Sequence, residues 1–385
     1  MTTRVLSIST LFPSRARPGF GRFVARQFDA IVAAGEIDLT VICPVARTSA
    51  SGDPRGYPVH YVGFGAVPFV GARWNPALIA RAVLPLARKL HAERPFDLVD
   101  AQFFYPDGPA AARIARELGV PLSIKARGSD IHHWGGRAFA RRMMLEAAGQ
   151  AAGLLAVSGA LKRDMIELGM PRDTIAVHYT GLDHELYRVK AHGADSRTEF
   201  GFSRDRQLLV GVGNLVGVKR HELTLAAMEK LPGAQLGLAG SGPELRRLES
   251  LAARLGLGER VRFLGNLPPD RVARLLQSAD AMVLPSENEG LANIWLEALA
   301  CGAPLVITDV GGAREVVTMP SAGRLVEPTA EAIAAGVSEM VANPPARAEV
   351  AAHAARFSWE ANAAQLAEHY RRVAGAGPPS RVRRS

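Results

Sequence analysis

The feature that most constrains the fold is a repeated alternation of short apolar, β-branched segments with longer stretches of helical periodicity. A first series of apolar segments includes RVLSIS, DLTVIC, FDLVDAQ and PLSIKA, and a second includes LLVGVGN, AQLGLAGSG, AMVLPS and PLVITD. Apolar segments separated by amphipathic ones in this order indicate parallel strands joined by crossover helices. The two series therefore predict an α/β chain with two Rossmann-like, doubly wound domains.

A polar segment without periodicity separates the two series. Since 385 residues exceed the usual size of one hydrophobic core, we expect one domain on each side of this segment and a cleft between them. The predicted divisions are a first domain over 1–185, a linker over 186–206, a second domain over 207–355, a helix over 356–373 that crosses back to the first domain, and a disordered basic tail over 374–385.

The charge and composition of the chain limit which classes of molecule it can bind. Lys and Arg number 46 against 37 Asp and Glu, and the net charge of +9 favours nucleotide phosphates, anionic lipid or nucleic acid. Aromatic residues make up 6% of the chain and are not interleaved with basic ones, which argues against nucleic acid. We interpret Arg137, Arg141 and Arg142 as solvated surface, with peripheral contact to an anionic membrane as the alternative.

The apolar segments and the cysteines bear on the cellular compartment. No segment reaches the roughly 20 apolar residues that a membrane-spanning helix needs, so we expect none. The chain has two cysteines, Cys43 and Cys301, one in each predicted domain, which argues against a disulfide framework. Both observations favour a cytoplasmic protein. It could act at the inner face of the membrane.

Two glutamates are the first candidates for contact with a substrate. Seven residues separate Glu289 from Glu297 in SENEGLANIWLEALA, and we expect the first on a loop after a strand and the second in the following helix. The amides of Gly290, Leu291 and Ala292 begin that helix without intrahelical partners, so they can bind phosphate or sugar oxygens. A carboxylate inside the helix suits the vicinal hydroxyls of a ribose. The alternative is a solvated Glu289 and a helix-surface Glu297.

A glycine-rich loop followed by a cation is the second candidate. The sequence VGVGNLVGVKR runs from a strand through Gly213, Asn214 and Lys219 to Arg220, where a helix begins. Glycines admit a diphosphate to the backbone, and an ammonium group offsets its charge. The loop lacks the GKS or GKT of a Walker A motif. A solvated lysine at a helix start is the alternative interpretation of Lys219.

A further strand-to-helix turn, LAGSGPEL, contains Gly240 and Gly242 and would face the same edge of the sheet. A tight turn without a ligand explains these glycines nearly as well as a contact with the donor does.

Together these segments resemble the E-x7-E signature and neighbouring loops of retaining glycosyltransferases of family 4, which have the GT-B fold of two Rossmann-like domains facing a central cleft. The positions that match the signature are Glu289, Gly290, Glu297, Ala298, Ala300, Gly302, Pro304, Gly311 and Gly312. The resemblance implies that Glu289 contacts the transferred sugar, Glu297 the donor ribose, and the amides after Glu289 the sugar and diphosphate. It also implies that the backbone near Gly265 and Leu267 recognises the base, whereas Asn293 stands where an aliphatic residue is commoner.

The diphosphate loop of the family, G-R-L-x-x-x-K-G, differs here at two positions. Gly213 and Lys219 match, Asn214 replaces the arginine, and Arg220 replaces the last glycine. In the family both the arginine and the lysine bind the donor diphosphate. The change weakens that two-cation clamp, and Arg220 could partly substitute for the missing arginine.

By the same resemblance the first domain carries the acceptor side. Gly19 and Gly21 stand where family members have a glycine loop near the reaction centre, and loop flexibility alone would select the same residues. SIKARGSDIHHW resembles the HGxD element, with Gly128 and Asp130 retained and Arg127 in place of the usual histidine. Because arginine stays charged and cannot act as a base, Arg127 would bind donor phosphate or an acidic acceptor.

The reaction implied is retaining transfer of a hexose from a nucleotide-diphosphate sugar, such as a UDP- or GDP-sugar. The acceptor would be a polysaccharide or lipid-linked oligosaccharide precursor of a cell-surface glycan. The catalytic residues would be Glu289, Lys219, Arg127 and Asp130, with Glu289 positioning the sugar and Lys219 and Arg220 stabilising the leaving diphosphate. The chain has no DxD motif, so we expect no metal and no other cofactor.

Other classes of protein fit the sequence less well. A nucleotide-sugar epimerase or a glycogen-type phosphorylase shares the architecture but does not explain the segment from Glu289 to Glu297. A dehydrogenase would carry GxGxxG directly after the first strand. The alternative from a different class is a non-catalytic protein that binds a nucleotide sugar or another anionic ligand, because Arg127 and Asn214 depart from the family pattern.

Overall fold

The computed structural model describes residues 2–46, 51–52, 54–65, 69–190 and 196–377, and it divides into two compact units. One unit comprises the residues up to Gly181 together with those from Trp359 onward, and the other comprises Leu182–Ser358. Each unit is built on one sheet in which all neighbouring strands are parallel. The predicted class, two Rossmann-like α/β domains, is confirmed.

The first unit contains a seven-stranded sheet in the order β3-β2-β1-β4-β5-β6-β7. The strands are β1 (Thr3–Ile8), β2 (Ile37–Val45), β3 (Val59–Gly63), β4 (Leu98–Ala101), β5 (Leu122–Ala126), β6 (Gly153–Ala156) and β7 (Ile175–Val177). The helices between them are α1 (Arg22–Ala33), α2 (Asn75–Glu93), α3 (Asp107–Leu118), α4 (Ala138–Ala148) and α5 (Gly159–Leu168).

The second unit contains a six-stranded sheet in the order β10-β9-β8-β11-β12-β13. The strands are β8 (Gln207–Val212), β9 (Ala234–Ala239), β10 (Val261–Gly265), β11 (Ala281–Leu284), β12 (Leu305–Thr308) and β13 (Gly323–Val326). The helices are α6 (His221–Ala227), α7 (Leu245–Arg254), α8 (Pro269–Ser278), α9 (Asn293–Ala300), α10 (Ala313–Val316), α11 (Ala330–Ala342) and α12 (Arg347–Ala352).

The last helix, α13 (Trp359–Gly375), belongs to the first unit. Its buried apolar residues recur at helical spacing, and they pack into the core around Val5 and Phe28. The buried set on this face is Ala363, Leu366, Ala367, Tyr370 and Val373. The apolar stripe of α13 therefore explains why the chain returns to the first sheet after completing the second.

Two predicted divisions differ from the structure. The boundary between the units falls after Gly181, and residues 196–206 of the predicted linker lie in the second unit, where Phe200 and Phe202 are buried. Residues 191–195 of that linker lie outside the described residues. Helix α13 extends to Gly375, two residues into the predicted tail, and residues 378–385 also lie outside the described residues.

The strand orders place a switch point in each sheet. The direction in which strands are added reverses between β1 and β4 in the first unit and between β8 and β11 in the second. In such sheets the loops at the carboxyl ends of the two central strands diverge and leave a crevice for a ligand. Among the described residues, no helix combines the length and the hydropathy needed to cross a bilayer.

Candidate active site

Two loops of the second unit are tied together at its switch point, one after β8 and one after β11. Lys219 ends a short 3-10 turn in the first loop. The amide of Glu287 in the second loop donates to the carbonyl of Val218 over 2.8 Å. This bond brings the side chains of the two loops within reach of one another.

Arg220 has a left-handed backbone conformation, with φ of 48°. That conformation costs a non-glycine residue roughly 1 kcal/mol, which explains why glycine is usual at this position in the family that the sequence resembles. The Arg220 guanidinium lies 3.4 Å from the Glu287 carboxylate. Its charge therefore stays beside Lys219, at the carboxyl edge of the sheet.

Glu289 is fixed by two side chains. Its Oε1 accepts a hydrogen bond from the Ser286 hydroxyl over 2.7 Å and forms an ion pair with the Lys219 ammonium group. Only 12% of the Glu289 side chain and 19% of the Lys219 side chain are exposed. Because little water screens the pair, it interacts more strongly than a surface ion pair does. The site thus holds a carboxylate and a cation in defined positions.

Gly311 allows the loop after β12 to pack against the Glu289 loop. A Cβ atom at this position would lie 1.8 Å from the carbonyl oxygen of Glu289, and φ is 52°. The amide of Gly312 donates to the carbonyl of Gly290 over 2.9 Å. The Gly-Gly pair of the signature therefore supports the backbone that carries Glu289.

Glycines also join the loops after β8, β9 and β10. A Cβ at Gly240 would lie 1.8 Å from the Gly213 carbonyl oxygen, and one at Gly242 would lie 2.2 Å from the Leu215 carbonyl oxygen. The Gly240 amide donates to the carbonyl of Gly265 over 2.8 Å. These glycines are required for loop packing, whether or not they also touch a ligand.

The remaining candidates for donor contact lie on the same loops. Asn214 is exposed after β8, and Leu267 is partly buried in the loop after β10. Helix α9 begins at Asn293, preceded by the buried Leu291 and Ala292, and no side chain caps its N-terminus. The amides predicted to bind an anion, those of Gly290, Leu291 and Ala292, precede this helix, whose own first amides can also serve an anion. Glu297, in the second turn of this helix, is partly buried.

His221 lies beneath the Lys219 loop as a buried neutral side chain. Neither ring nitrogen has a hydrogen-bond partner among the residues that the structure describes, and only 1% of the residue is exposed. Burial, assisted by the Lys219 charge, lowers the pKa of His221 to about 4. Neutral His221 therefore stabilises the folded state fully at pH values above its unfolded pKa, near 6.5. This stabilisation is lost as the pH falls toward 4.

His221→Leu is expected to reduce the acid sensitivity of the second unit. Between pH 7.5 and pH 5, protonation of His221 in the unfolded state lowers the wild-type stability by about 2 kcal/mol, and leucine removes this contribution. Thermal unfolding at the two pH values measures the difference, with His353→Gln as a control in the same unit. An equal loss of stability in wild type and His221→Leu would contradict the assignment.

In the first unit, Asp130 is the acceptor for a ring of backbone amides. Its carboxylate accepts hydrogen bonds from the amides of Phe104, Arg127, Gly128 and Ile131, at distances from 2.7 to 3.2 Å. The residue is completely buried. These contacts support a scaffold role for Asp130, which was predicted to be catalytic, because both oxygens are already engaged.

Arg127 follows β5 and is held by neutral groups. Its Nε donates to the Gln102 carbonyl over 3.2 Å, and its Nη2 donates to Gln102 Oε1 over 2.5 Å. The guanidinium also lies over the Phe23 ring, 4.9 Å from its centre. The guanidinium of Arg127 therefore has a fixed orientation, and none of the contacts that fix it comes from a carboxylate.

Sequence reasoning missed a buried polar cluster behind Arg127. The fully buried Lys125 donates to Gln27 Oε1 over 3.0 Å, and Gln102 Nε2 donates to Asp100 over 2.7 Å. Burial drives the pKa of Lys125 well below its usual value. The available signal was the presence of charged and amide residues inside the apolar strand segments FDLVDAQ and PLSIKA.

The two glycines predicted to lie on the acceptor side, Gly19 and Gly21, differ in how tightly the surrounding backbone packs against them. Gly21 precedes α1 with φ of 69°, and a Cβ there would lie 2.4 Å from the backbone of Leu11. Gly19 is exposed and has open space at the Cβ position. Packing thus accounts for Gly21, whereas nothing nearby in the described structure requires a glycine at position 19.

The chain matches two family descriptions that together span most of its length. Residues 18–186 match Glycosyltransferase Family 4, and residues 194–357 match Glycosyl transferases group 1. It is 30% identical over 295 residues to N-acetyl-alpha-D-glucosaminyl L-malate synthase of Bacillus anthracis, covering 71% of this chain and 76% of that one. It is 29% identical over 335 residues to a putative teichuronic acid biosynthesis glycosyltransferase of Bacillus subtilis, covering 80% and 82%.

Solved structures with the same fold include sucrose-phosphate synthase from Thermosynechococcus elongatus, with a TM-score of 0.83, 21% identity and coverage of 97% of this chain and 100% of that one. Another is the Anabaena protein HepE in complex with UDP-glucose, with a TM-score of 0.75, 20% identity and coverage of 95% and 98%. These likenesses establish the GT-B fold. Together with the sequence matches, they show that this chain belongs to glycosyltransferase family 4, the glycosyl transferases group 1.

Proposed function

We propose that the protein is a retaining glycosyltransferase that binds a nucleotide-diphosphate sugar on its second unit and transfers the hexose to an acceptor for a cell-surface glycan. The observation that carries this proposal is the fixed pair of Lys219 and Glu289 at the switch point, beside the uncapped N-terminus of α9. A cation, a carboxylate and the first amides of a helix are the groups that a diphosphate and a sugar require.

Donor binding would rearrange the ion pair. The diphosphate carries more charge than a single carboxylate and would attract the Lys219 ammonium away from Glu289. Glu289, still hydrogen-bonded to Ser286, would then be free to position the sugar and stabilise the oxocarbenium ion. Lys219 and Arg220 would stabilise the leaving diphosphate, and we propose that no metal is needed for this step.

The identity of the donor and acceptor is supported by the relatives. The Anabaena neighbour was solved with UDP-glucose, which supports a UDP-sugar, with a GDP-sugar as the other candidate. One relative is named for teichuronic acid biosynthesis, which supports a polysaccharide or lipid-linked precursor as the acceptor. We propose that transfer proceeds from the front face of the sugar, with the leaving diphosphate accepting the proton of the acceptor hydroxyl.

A panel of UDP-, GDP-, ADP- and dTDP-sugars is expected to include one that binds the wild-type protein at micromolar concentration. Lys219→Ala should weaken that binding about 10- to 100-fold, because the charge-assisted bonds to the diphosphate are lost. Glu297→Ala should weaken it by a similar factor through loss of the ribose contacts. Titration calorimetry measures both effects.

Lys230→Ala is the matched control for the lysine. Lys230 also pairs with a glutamate in the second unit, Glu331, at 3.3 Å, but both side chains are largely exposed. This variant should bind the donor as the wild type does. If no nucleotide sugar binds the wild type, or if Lys219→Ala binds as tightly, the proposed function is overturned.

A further inference from the structure

Arg127 is a partly buried cation without an acidic partner. No carboxylate among the described residues forms an ion pair with its guanidinium, in contrast to the guanidinium of Arg197, which lies 2.8 Å from Asp280. A charge withdrawn from water without a counter-ion is costly. Burial accordingly lowers the pKa of Arg127 to about 10, and the group stays charged at neutral pH.

The two nearest carboxylates are committed elsewhere. Asp130 accepts backbone amides with both oxygens. Asp100 Oδ2 accepts from Ser7 over 2.9 Å and from Gln102 over 2.7 Å, inside the sheet. Neither acid forms an ion pair with the guanidinium, so the charges of Asp130 and Asp100 act on Arg127 only from a distance and do not occupy its donors.

The orientation of the guanidinium leaves one end available. Gln102 occupies the edge formed by Nε and Nη2, and Gln27 Oε1 lies 3.5 Å from Nη2. Nη1 makes no hydrogen bond to any residue that the structure describes. Because Gln102 and the Phe23 ring fix the plane, Nη1 is held in one direction with its donors unused.

We propose that Arg127 selects an acceptor that carries a carboxylate or phosphate group, which binds the guanidinium through Nη1. The inference rests on the proposed function, because that function places the donor diphosphate on Lys219 and Arg220 of the other unit and leaves Arg127 for the acceptor. Oxyanions are the ligands that guanidinium groups bind most strongly. Gln102 and Gln27 act as positioning residues that hold Arg127 without neutralising it.

Binding of D-glucuronate and inorganic phosphate to the full chain, with D-glucose as the neutral match, tests the inference by titration calorimetry at low ionic strength, in the presence of saturating UDP, which occupies the diphosphate site on Lys219 and Arg220. Wild type is expected to bind both anions and to show no measurable affinity for glucose. Arg127→Gln should weaken anion binding at least tenfold. Arg127→Lys should bind the anions more tightly than Arg127→Gln but less tightly than wild type. Lysine keeps the positive charge but lacks the planar guanidinium that Gln102 holds in place.

Arg137→Gln is the matched control. Arg137 is an exposed arginine of the same unit, its guanidinium also lies over an aromatic ring, Trp134, at 5.0 Å, and its loss changes the net charge equally. Anion affinity should be unchanged in this variant. Unfolding temperatures of all variants establish that they are folded, and Arg127→Lys provides the comparison if Arg127→Gln is unstable.

Three results would overturn the inference: no anion binding by wild type, equal anion binding by wild type and Arg127→Gln, or equal weakening by Arg137→Gln. A loss of UDP affinity in Arg127→Gln as large as the loss of glucuronate affinity would also overturn it, by assigning Arg127 to the donor. Binding of UDP-sugar to wild type is measured in parallel. Its absence would reject the proposed function, whereas its presence with failed anion selectivity would reject only the role of Arg127.

Discussion

Glu289→Gln is expected to lower kcat for sugar transfer by about 10²- to 10³-fold, the usual cost of removing one group that stabilises developing charge. Glutamine keeps the size of the side chain and can still accept the hydrogen bond from Ser286. It loses the negative charge that would stand beside the oxocarbenium ion. The largest effect should therefore fall on kcat, with a smaller effect on the KM for the donor.

Steady-state transfer with the donor identified by the binding panel measures both constants. Glu327→Gln is a suitable control, because Glu327 is an exposed carboxylate of the same unit. It should leave kcat and KM unchanged. The unfolding temperature of Glu289→Gln should fall below that of wild type, since the largely buried Lys219 ammonium loses its counter-ion, and both constants are therefore measured well below the transition of the variant. An unchanged kcat in Glu289→Gln would remove this residue from the reaction.

The fold was predictable where hydrophobic periodicity was strong. The strands Leu122–Ala126, Ala281–Leu284 and Leu305–Thr308 lie within the apolar segments PLSIKA, AMVLPS and PLVITD that predict them. The pattern does not reveal β3, Val59–Gly63, because each of its residues is only partly buried at the edge of the sheet. An edge strand with little buried surface carries a weak apolar signal.

The residues of the candidate site were predictable one by one, but their contacts with each other were not. The sequence identifies Lys219 and Glu289 separately, but they are 70 positions apart, and only the strand order places their loops side by side. Gln102 is a polar residue of the segment FDLVDAQ and Gln27 lies on the buried face of α1, but neither local pattern shows that both side chains meet at Arg127. Long-range contacts among polar residues follow from topology, which local patterns do not specify.

The role of Asp130 illustrates the difference between a matched motif and its chemistry. The motif predicts a catalytic residue, whereas the geometry shows a buried carboxylate surrounded by backbone amides. Such an arrangement fixes the loop after β5, including the backbone of Arg127. Loss of the carboxylate should therefore affect folding before it affects chemistry.

Asp130→Ala is expected to destabilise the first unit by about 3 kcal/mol or more, because several buried amides lose their acceptor and each such loss costs roughly 1–3 kcal/mol. For a unit of this size the loss corresponds to a fall in unfolding temperature of roughly 6–12 °C. Asp130→Asn keeps one carbonyl oxygen as an acceptor and should fall between wild type and the alanine variant. Differential scanning calorimetry of the full chain measures the transition.

Asp164→Ala is the control that shows how much stability the first unit loses when an aspartate without this scaffold role is removed. Asp164 lies in the same unit, on a partly exposed surface, and its side chain pairs with His132 at 2.8 Å. Its loss should cost less than about 1 kcal/mol. If Asp130→Ala instead unfolds at the wild-type temperature and loses kcat alone, Asp130 takes part in the reaction as the motif suggests. If the temperature falls and the residual folded protein transfers sugar at a near-normal rate, the carboxylate acts by holding the Arg127 loop in place.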